Sequence, residues 1–207
     1  MKKWLFLLVL GLLGTAGLAQ AQCSSDPDEI CILWTDDCGN CLNCMSYFGG
    51  PVTFYVVLMN CSTYSGLCGF EFQLVNADGS FFMPPPSIFV VSYNIPSYGI
   101  NVATPPSFQV GLGAPIPWSP CIVLVSVDLL VFDYSSWCFG VKPFVPASVP
   151  GEMIYVAGHD PSLLLPMRPC TGSEAPDYGI ACLNSQECPP PVVTDRNSWG
   201  SLKSMYK

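Results

Sequence analysis

The chain has 207 residues, 50% of them hydrophobic, and its seven Lys and Arg residues face fifteen Asp and Glu, for a net charge of −8. Binding to nucleic acid requires clustered basic side chains, so this composition argues against a nucleic-acid partner. The length suits a single domain with its own hydrophobic core.

Residues 1–21 have the pattern of a secretory signal peptide. Two lysines precede an apolar run over residues 4–13, and small residues then lead to a cleavage position after Ala21. A membrane-spanning helix needs about 20 apolar residues, so this run is too short to span. We expect a protein secreted to the extracellular space or the periplasm. Lipidation at Cys23 is the alternative, but Gln22 is not the small residue that a lipoprotein signal requires.

The cysteines all follow the predicted cleavage position, and export would carry them to an oxidising compartment, so we expect disulfide bonds. The spacing of Cys38, Cys41 and Cys44 in CGNCLNC also occurs in zinc and iron–sulfur sites. Because His159 is the only histidine and export favours oxidation, we expect no metal and no cofactor. The twelve are Cys23, Cys31, Cys38, Cys41, Cys44, Cys61, Cys68, Cys121, Cys138, Cys170, Cys182 and Cys188.

Residues 22–48 form a cysteine-rich N-terminal segment of the domain that is also rich in acids. Clustered carboxylates are the ligands that calcium prefers, but their spacing here matches no calcium loop, and the pattern favours a solvated acidic face. The acids are Asp26, Asp28, Glu29, Asp36 and Asp37.

Residues 49–188 predict an all-β domain, a single antiparallel β-sandwich of the cohesin-like or jelly-roll-like kind. Short apolar segments rich in β-branched and aromatic residues alternate with turn residues, and twenty-one prolines oppose helices. In GFEFQLV, Phe70, Phe72 and Leu74 share one face while Glu71 and Gln73 share the other, which predicts a half-buried strand.

The segment CIVLVSVDLLVFD is apolar on both alternating faces. It predicts a central strand that is covered on both sides. A carboxylate, Asp128, lies inside this segment.

The segment NCSTYSGLC predicts a hairpin whose turn contains Gly66. Such a hairpin would bring Cys61 and Cys68 together, and we expect a local disulfide between them.

A second hairpin, folding near Ser135, would place Cys138 opposite Phe132. Cys121 and Cys138 are therefore not expected to be partners. At the C-terminal end we expect one pair among Cys170, Cys182 and Cys188, although connectivity does not follow from sequence.

Three stretches carry a resemblance: INVATPPSFQVGLGAPIPWSPCIVLVSVDLLVFD, AGHDPSLLLPM and the terminal SWGSLKSMY. With them the chain resembles a group of uncharacterised secreted bacterial proteins, loosely over residues 50–207. The group looks like a signal peptide, one sandwich similar in strand pattern to cohesin and related carbohydrate-binding domains, and a short tail. The resemblance implies fold and location but no activity.

Candidate catalytic residues are few. His159 lies in AGHDPS, where Asp160-Pro161 marks a turn, so a loop or capping role is favoured over a nucleophilic triad. Asp128 is the best acid for a secreted, glycosidase-like hydrolase that uses paired carboxylates. The alternative is a structural role, in which neighbouring groups donate hydrogen bonds to the Asp128 carboxylate.

Exposed aromatic residues near strand ends suit a platform for a carbohydrate or a protein, because loops carry function. Core packing is the alternative interpretation. The candidates are Tyr93, Tyr98, Trp118 and Tyr134.

The C-terminal end is a separate unit. Residues 22–193 carry fourteen acids against two basic residues, a charge of −12, whereas residues 194–207 carry one acid against three basic residues, a charge of +2. Residues 189–193 start with three prolines and predict a stiff spacer. In the tail, Trp199, Leu202 and Tyr206 share one face of a short helix, with Lys203 and Lys207 near its end.

Together these patterns predict a secreted, non-catalytic binding, adhesion or envelope-associated module. Its partner would be a protein or carbohydrate at the cell surface, with the tail as a docking or sorting peptide. The alternative is the secreted hydrolase.

Overall fold

The computed structural model describes residues 26–39, 41–170 and 180–186. The predicted signal peptide, the spacer, the tail, Cys23 and Cys188 lie outside these residues. Within them every regular element is a β-strand, and no helix could cross a membrane. The strands are β1 Glu29–Leu33, β2 Cys44–Met45, β3 Gly50–Met59, β4 Leu67–Asn76, β5 Ile88–Asn94, β6 Gly99–Asn101, β7 Ser107–Ile116, β8 Cys121–Val131, β9 Trp137–Lys142, β10 Met153–Ala157, β11 Leu164–Pro169 and β12 Ala181–Leu183.

The strands form two layers, as the sequence predicts. The first sheet has the order β5-β8-β3-β1, and the second has the order β2-β12-β9-β4, with β7 and β6 beyond β4. β10 pairs with the same β4 strand, near its start, and β9 pairs near its end. All pairings are antiparallel except the short β1–β11 and β2–β12 contacts. The fold is an all-β sandwich.

Strand β11 connects the two sheets at one edge. Its first four residues pair with β10 in the second sheet. Its last two, Arg168 and Pro169, pair with Glu29 and Ile30 of β1 in the first sheet. The sandwich is therefore hydrogen-bonded along this edge.

The core between the layers is built largely from aromatic rings. Phe54 of β3 and Phe139 of β9 are completely buried, and their ring centroids lie 4.6 Å apart across the two sheets. The predicted alternation of β4 is confirmed, since Phe70, Phe72 and Leu74 all face this core. Burying side chains of this size contributes about 1.5–3 kcal/mol each.

Strand β8 is central, as predicted, between β3 and β5. The prediction that both of its faces are covered is wrong. Ser126 and Asp128 point to the outer face of the first sheet and are only half-buried, and Val123 is exposed. An extra residue in β8, Leu124, lies opposite the step from Val56 to Val57 of β3, so Leu124 and Val125 both face the core and the inward and outward sets do not follow a strict period of two.

The N-terminal cysteine-rich segment covers part of that outer face. Cys31, Leu33, Val57 and Met59 form a small buried cluster there, which we call the outer cluster, and Cys38, Cys121 and Cys170 are among the residues packed against it. Disulfide bonds attach the segment to the rest of the domain.

Three disulfides are described, and they join distant parts of the chain: Cys31–Cys170, Cys38–Cys121 and Cys138–Cys182, with Cα–Cα distances of 5.2, 6.0 and 4.1 Å. Cys41 and Cys44 are disulfide-bonded as well. The predicted pair among the three C-terminal cysteines is wrong. Cys170 follows β11, which lies beside β1, and Cys182 of β12 lies directly opposite Cys138 of β9.

Cys121 and Cys138 are not partners, as predicted, but the reason differs from the expected hairpin. β8 belongs to the first sheet and β9 to the second, so the chain crosses between layers at residues 132–136. Cys138 does not face Phe132 across a hairpin.

The predicted Cys61–Cys68 disulfide is also wrong, because both residues are free thiols. β3 pairs in the first sheet and β4 in the second, so the connection over residues 60–66 crosses between layers and is not a hairpin. The two sulfurs have different neighbours: Cys61 Sγ lies 3.5 Å from the Thr63 carbonyl oxygen, and Cys68 Sγ lies 3.4 Å from that of Gly158. Burial raises the pKa of the Cys61 thiol.

Candidate functional site: an aromatic and histidine surface at one end of the sandwich

The four aromatic residues predicted as a platform do not lie together. Trp118 precedes β8 and Tyr134 follows it, and the eleven residues of this strand separate its ends by about 34 Å. Tyr93 lies on β5 and packs against Phe108 of the core, with ring centroids 5.9 Å apart. Burial raises the pKa of Tyr93. Tyr98 is 43% exposed and lies between β5 and β6.

Trp118 instead belongs to a surface formed by three connections, residues 60–66, 117–120 and 158–163, which we call the Trp118 end. Tyr64 lies beside Trp118, with ring centroids 5.4 Å apart and an angle of 43° between the ring planes. Tyr64 is 84% exposed and Trp118 is 41% exposed. Two neighbouring rings are therefore accessible to solvent at this end.

The three connections are joined by hydrogen bonds that backbone carbonyl oxygens accept. The Trp118 indole Nε1 donates to the Cys61 carbonyl oxygen at 3.0 Å, and Gly158 N donates to the Gly66 carbonyl oxygen at 2.9 Å. A Cβ at Gly158 would lie 2.2 Å from the Ser65 carbonyl oxygen. Glycine is required at position 158 because any side chain would force the two loops apart.

A buried group beneath the surface fixes the start of the 60–66 connection. The Tyr155 hydroxyl donates to Asp28 Oδ1 at 2.6 Å, and the same oxygen accepts from Ser62 N at 2.8 Å. Burial, followed by the hydrogen bond to Asp28, raises the pKa of Tyr155, so its hydroxyl stays a neutral donor. The loop that carries Tyr64 is thus tied to β10.

The polar side chains next to Tyr64 form a short chain of hydrogen bonds. Ser65 Oγ lies 2.6 Å from Thr63 Oγ1 and 2.6 Å from His159 Nδ1. The histidine is exposed, and the contact fixes the orientation of its ring. The sequence pattern NCSTYSGLC showed Tyr64 and Ser65 only as turn residues, because their proximity to Trp118 and His159 depends on loops that lie about 50 and 90 residues later in the chain.

This geometry places a serine beside His159 but does not complete a catalytic triad. A triad needs a carboxylate that orients the imidazole. Asp160 Oδ1 accepts instead from Ser162 N at 2.9 Å and from Ser162 Oγ at 2.6 Å. These bonds hold the pKa of Asp160 below its ordinary value and stabilise the turn. Among the residues that the structure describes, none hydrogen-bonds to His159 Nε2.

Asp128, the acid suggested for a hydrolase, is engaged by three neighbours on the outer face of the first sheet. Its Oδ1 accepts from Thr53 Oγ1 at 2.7 Å, and its Oδ2 accepts from Ser92 Oγ at 2.7 Å and from Asn94 Nδ2 at 2.9 Å. The bonds from Ser92, Thr53 and Asn94 lower the pKa of Asp128. A carboxyl with a lowered pKa is ionised at neutral pH, so it is unsuited to act as a general acid.

The acids of the N-terminal segment are not all solvated. Glu29 is buried, and its Oε2 lies 4.0 Å from Cys170 Sγ. Ligand atoms of Glu29, Cys31 and Cys170 lie within 4.8 Å of one another. The two cysteines are joined as a disulfide, so their sulfurs are not thiolate ligands for a metal.

The opposite end of the sandwich carries a second group of rings. Tyr134 packs against Phe48 with a centroid distance of 4.5 Å, and Phe89 packs against Phe132 at 5.6 Å. All four are more than half exposed.

No protein-family model matches the chain, and no curated protein matches it. Among solved structures, it is similar to a type II cohesin domain from the cellulosome of Acetivibrio cellulolyticus. The identity is 12%, the TM-score is 0.38, and the alignment covers 79% of this chain and 98% of that domain. The likeness concerns the fold, and a fold does not by itself specify a function.

Proposed function

We propose that the protein is a secreted, non-catalytic binding module and that the Trp118 end is its ligand-binding surface. The observation that carries this proposal is the exposed pair of rings, Tyr64 and Trp118. The loops that carry these rings are hydrogen-bonded to one another. Exposed aromatic rings on a rigid scaffold are typical of binding surfaces.

The rigidity of the loops supports the proposal. Ordering a mobile loop on binding costs free energy, whereas a loop already held in place avoids that cost. The bonds of Ser62 to Asp28 and of Gly158 to Gly66 hold the loops before any ligand arrives. Nothing in the environment of Asp128 favours the hydrolase alternative.

The location in this proposal rests on the signal-peptide pattern and on the disulfides. Disulfides persist in extracellular and periplasmic proteins and are rare where thiols are kept reduced. Three long-range disulfides are consistent with such a location.

Binding can be tested with cell envelopes of the producing organism as the probe. The purified protein should co-sediment with them, and Tyr64→Ala should weaken this binding at least tenfold. Tyr64 is 84% exposed, so its removal should leave the fold unchanged. Tyr134→Ala, which removes an exposed ring from the opposite end, is the matched control. Equal binding by Tyr64→Ala and the unmodified protein would refute the assignment of the surface.

We propose in addition that residues 194–207 are a docking or sorting peptide. The charge of +2 against −12 for residues 22–193, and the predicted stripe of Trp199, Leu202 and Tyr206 beside Lys203, support this role. Deleting residues 194–207 should leave folding and export unchanged but abolish the final attachment or location. Normal localisation of the shortened protein would show that the tail is not an address.

A further inference from the structure

We propose that the Trp118 end binds a neutral carbohydrate, with the Tyr64 and Trp118 rings stacked on sugar rings and the neighbouring hydroxyl and imidazole groups bonded to sugar hydroxyls. This inference rests on the proposed binding function and names the chemical class of its ligand.

Charge is the first step, because it separates ligand classes. The three connections that form the surface contain one ionised side chain, Asp160, and no Lys or Arg. One oxygen of the Asp160 carboxylate, Oδ1, accepts both hydrogen bonds from Ser162. A phosphate, a sulfate or an acidic polysaccharide would find no cation here and would approach a chain with net charge −8. Carboxylates do lie next to these connections: Asp28 accepts from Ser62 N and the Tyr155 hydroxyl, and Asp36 and Asp37 line a cavity with Asn60, Ser119 and Pro120. Charge therefore argues against an anionic ligand.

The shape of the aromatic pair is the second step. The planes of Tyr64 and Trp118 meet at 43°, with centroids 5.4 Å apart, so the rings form a bent wall and not a flat apolar patch. The C–H groups on one face of a pyranose ring pack well against such rings, which have a negatively polarised face. Because the Trp118 indole nitrogen donates a hydrogen bond to the Cys61 carbonyl oxygen, the orientation of the indole ring is fixed.

The third step is the polar groups beside the wall. Ser65 Oγ and His159 Nδ1 bond to each other at 2.6 Å, which turns Nε2 away from Ser65. The exposed His159 imidazole and the Ser65 hydroxyl offer hydrogen-bonding groups to sugar hydroxyls, while the buried Thr63 hydroxyl holds Ser65 in place. A surface with aromatic faces and neutral donors and acceptors thus matches a neutral polyhydroxylated ligand better than a protein, which would need a larger apolar patch.

The experiment uses the same envelopes after two treatments. Periodate cleaves the vicinal diols of sugars, and a protease removes envelope proteins. We expect periodate to reduce co-sedimentation at least tenfold and protease to leave it unchanged. Binding should also persist at high salt, because no ion pair contributes. Tyr64→Phe, which keeps the ring, should bind as the unmodified protein does, whereas Tyr64→Ala should not.

Two outcomes separate this inference from the proposed function. Tyr64-dependent binding that survives periodate and is lost with protease would overturn the carbohydrate inference and leave the binding function standing. Binding that does not depend on Tyr64 would overturn both.

Discussion

At the scale of single residues, the surroundings of a carboxylate decide what it can do. Asp128 lies in a strand that is otherwise apolar, and from sequence it is a candidate catalytic acid. Three donors from β3 and β5 surround it and lower its pKa. The side chain therefore stabilises the outer face of the first sheet as an anion.

We expect Asp128→Asn to lower the free energy of unfolding by about 1 kcal/mol at pH 7, since hydrogen bonds to an ionised group are lost. The folded-state pKa lies below the unfolded value of about 3.9. The stabilisation is therefore present above that value and disappears as the pH falls through the folded pKa. Urea denaturation at pH 7 and pH 3 measures the difference, with Glu152→Gln, in an exposed turn, as the control. An equal effect at both pH values would contradict the prediction.

At the scale of elements, a buried side chain fixes the loop that interrupts one edge of the second sheet. β9 and β10 follow one another along the same edge of β4, and residues 143–152 loop out between them. Glu71 of β4 is buried, and its two oxygens accept from Ser148 N and Ser148 Oγ, both at 2.7 Å, and from Gln109 Nε2 at 3.0 Å. The carboxylate fixes the loop against the strand.

Replacing Glu71 by Ala should cost about 2 kcal/mol, because it leaves these donors without their acceptor. Hydrogen exchange of residues 143–152 should accelerate in Glu71→Ala and, to a smaller extent, in Ser148→Ala. Gln73→Ala, on the same face of β4, is the control. Unchanged exchange in the loop would show that Glu71 does not hold it.

At the scale of the whole molecule, the disulfides link segments that the chain order keeps apart. Cys31–Cys170 spans 139 residues and ties β1 to the end of β11, where the two sheets meet. Cys138–Cys182 spans 44 residues within the second sheet. Closing a longer loop removes more conformational freedom from the unfolded chain.

Replacing both Cys31 and Cys170 by Ala should lower the free energy of unfolding by about 2–5 kcal/mol. The same change at Cys138 and Cys182 should cost less. Urea denaturation without reductant measures both values. A larger loss for the shorter link would contradict the loop-length explanation.

The class of the fold and the apolar faces of its strands follow from local patterns in the sequence. Period-two alternation showed which side chains of β4 face the core, and Phe70, Phe72 and Leu74 do so. Composition and turn residues indicated strands throughout, and the described residues contain no helix. These properties are local, because each depends on residues within a few positions of one another.

Strand pairing, disulfide pairing and the contacts between aromatic residues depend on how the two sheets pack. Alternation does not say which partner a strand takes, so the 60–66 connection looked like a hairpin although it crosses between sheets and leaves Cys61 and Cys68 as free thiols. Trp118 contacts Tyr64, which the sequence does not predict as its neighbour. Trp118 does not contact Tyr134, because Trp118 and Tyr134 lie at opposite ends of β8. The Trp118 end joins three connections that are distant in sequence, and such contacts arise only when the layers pack.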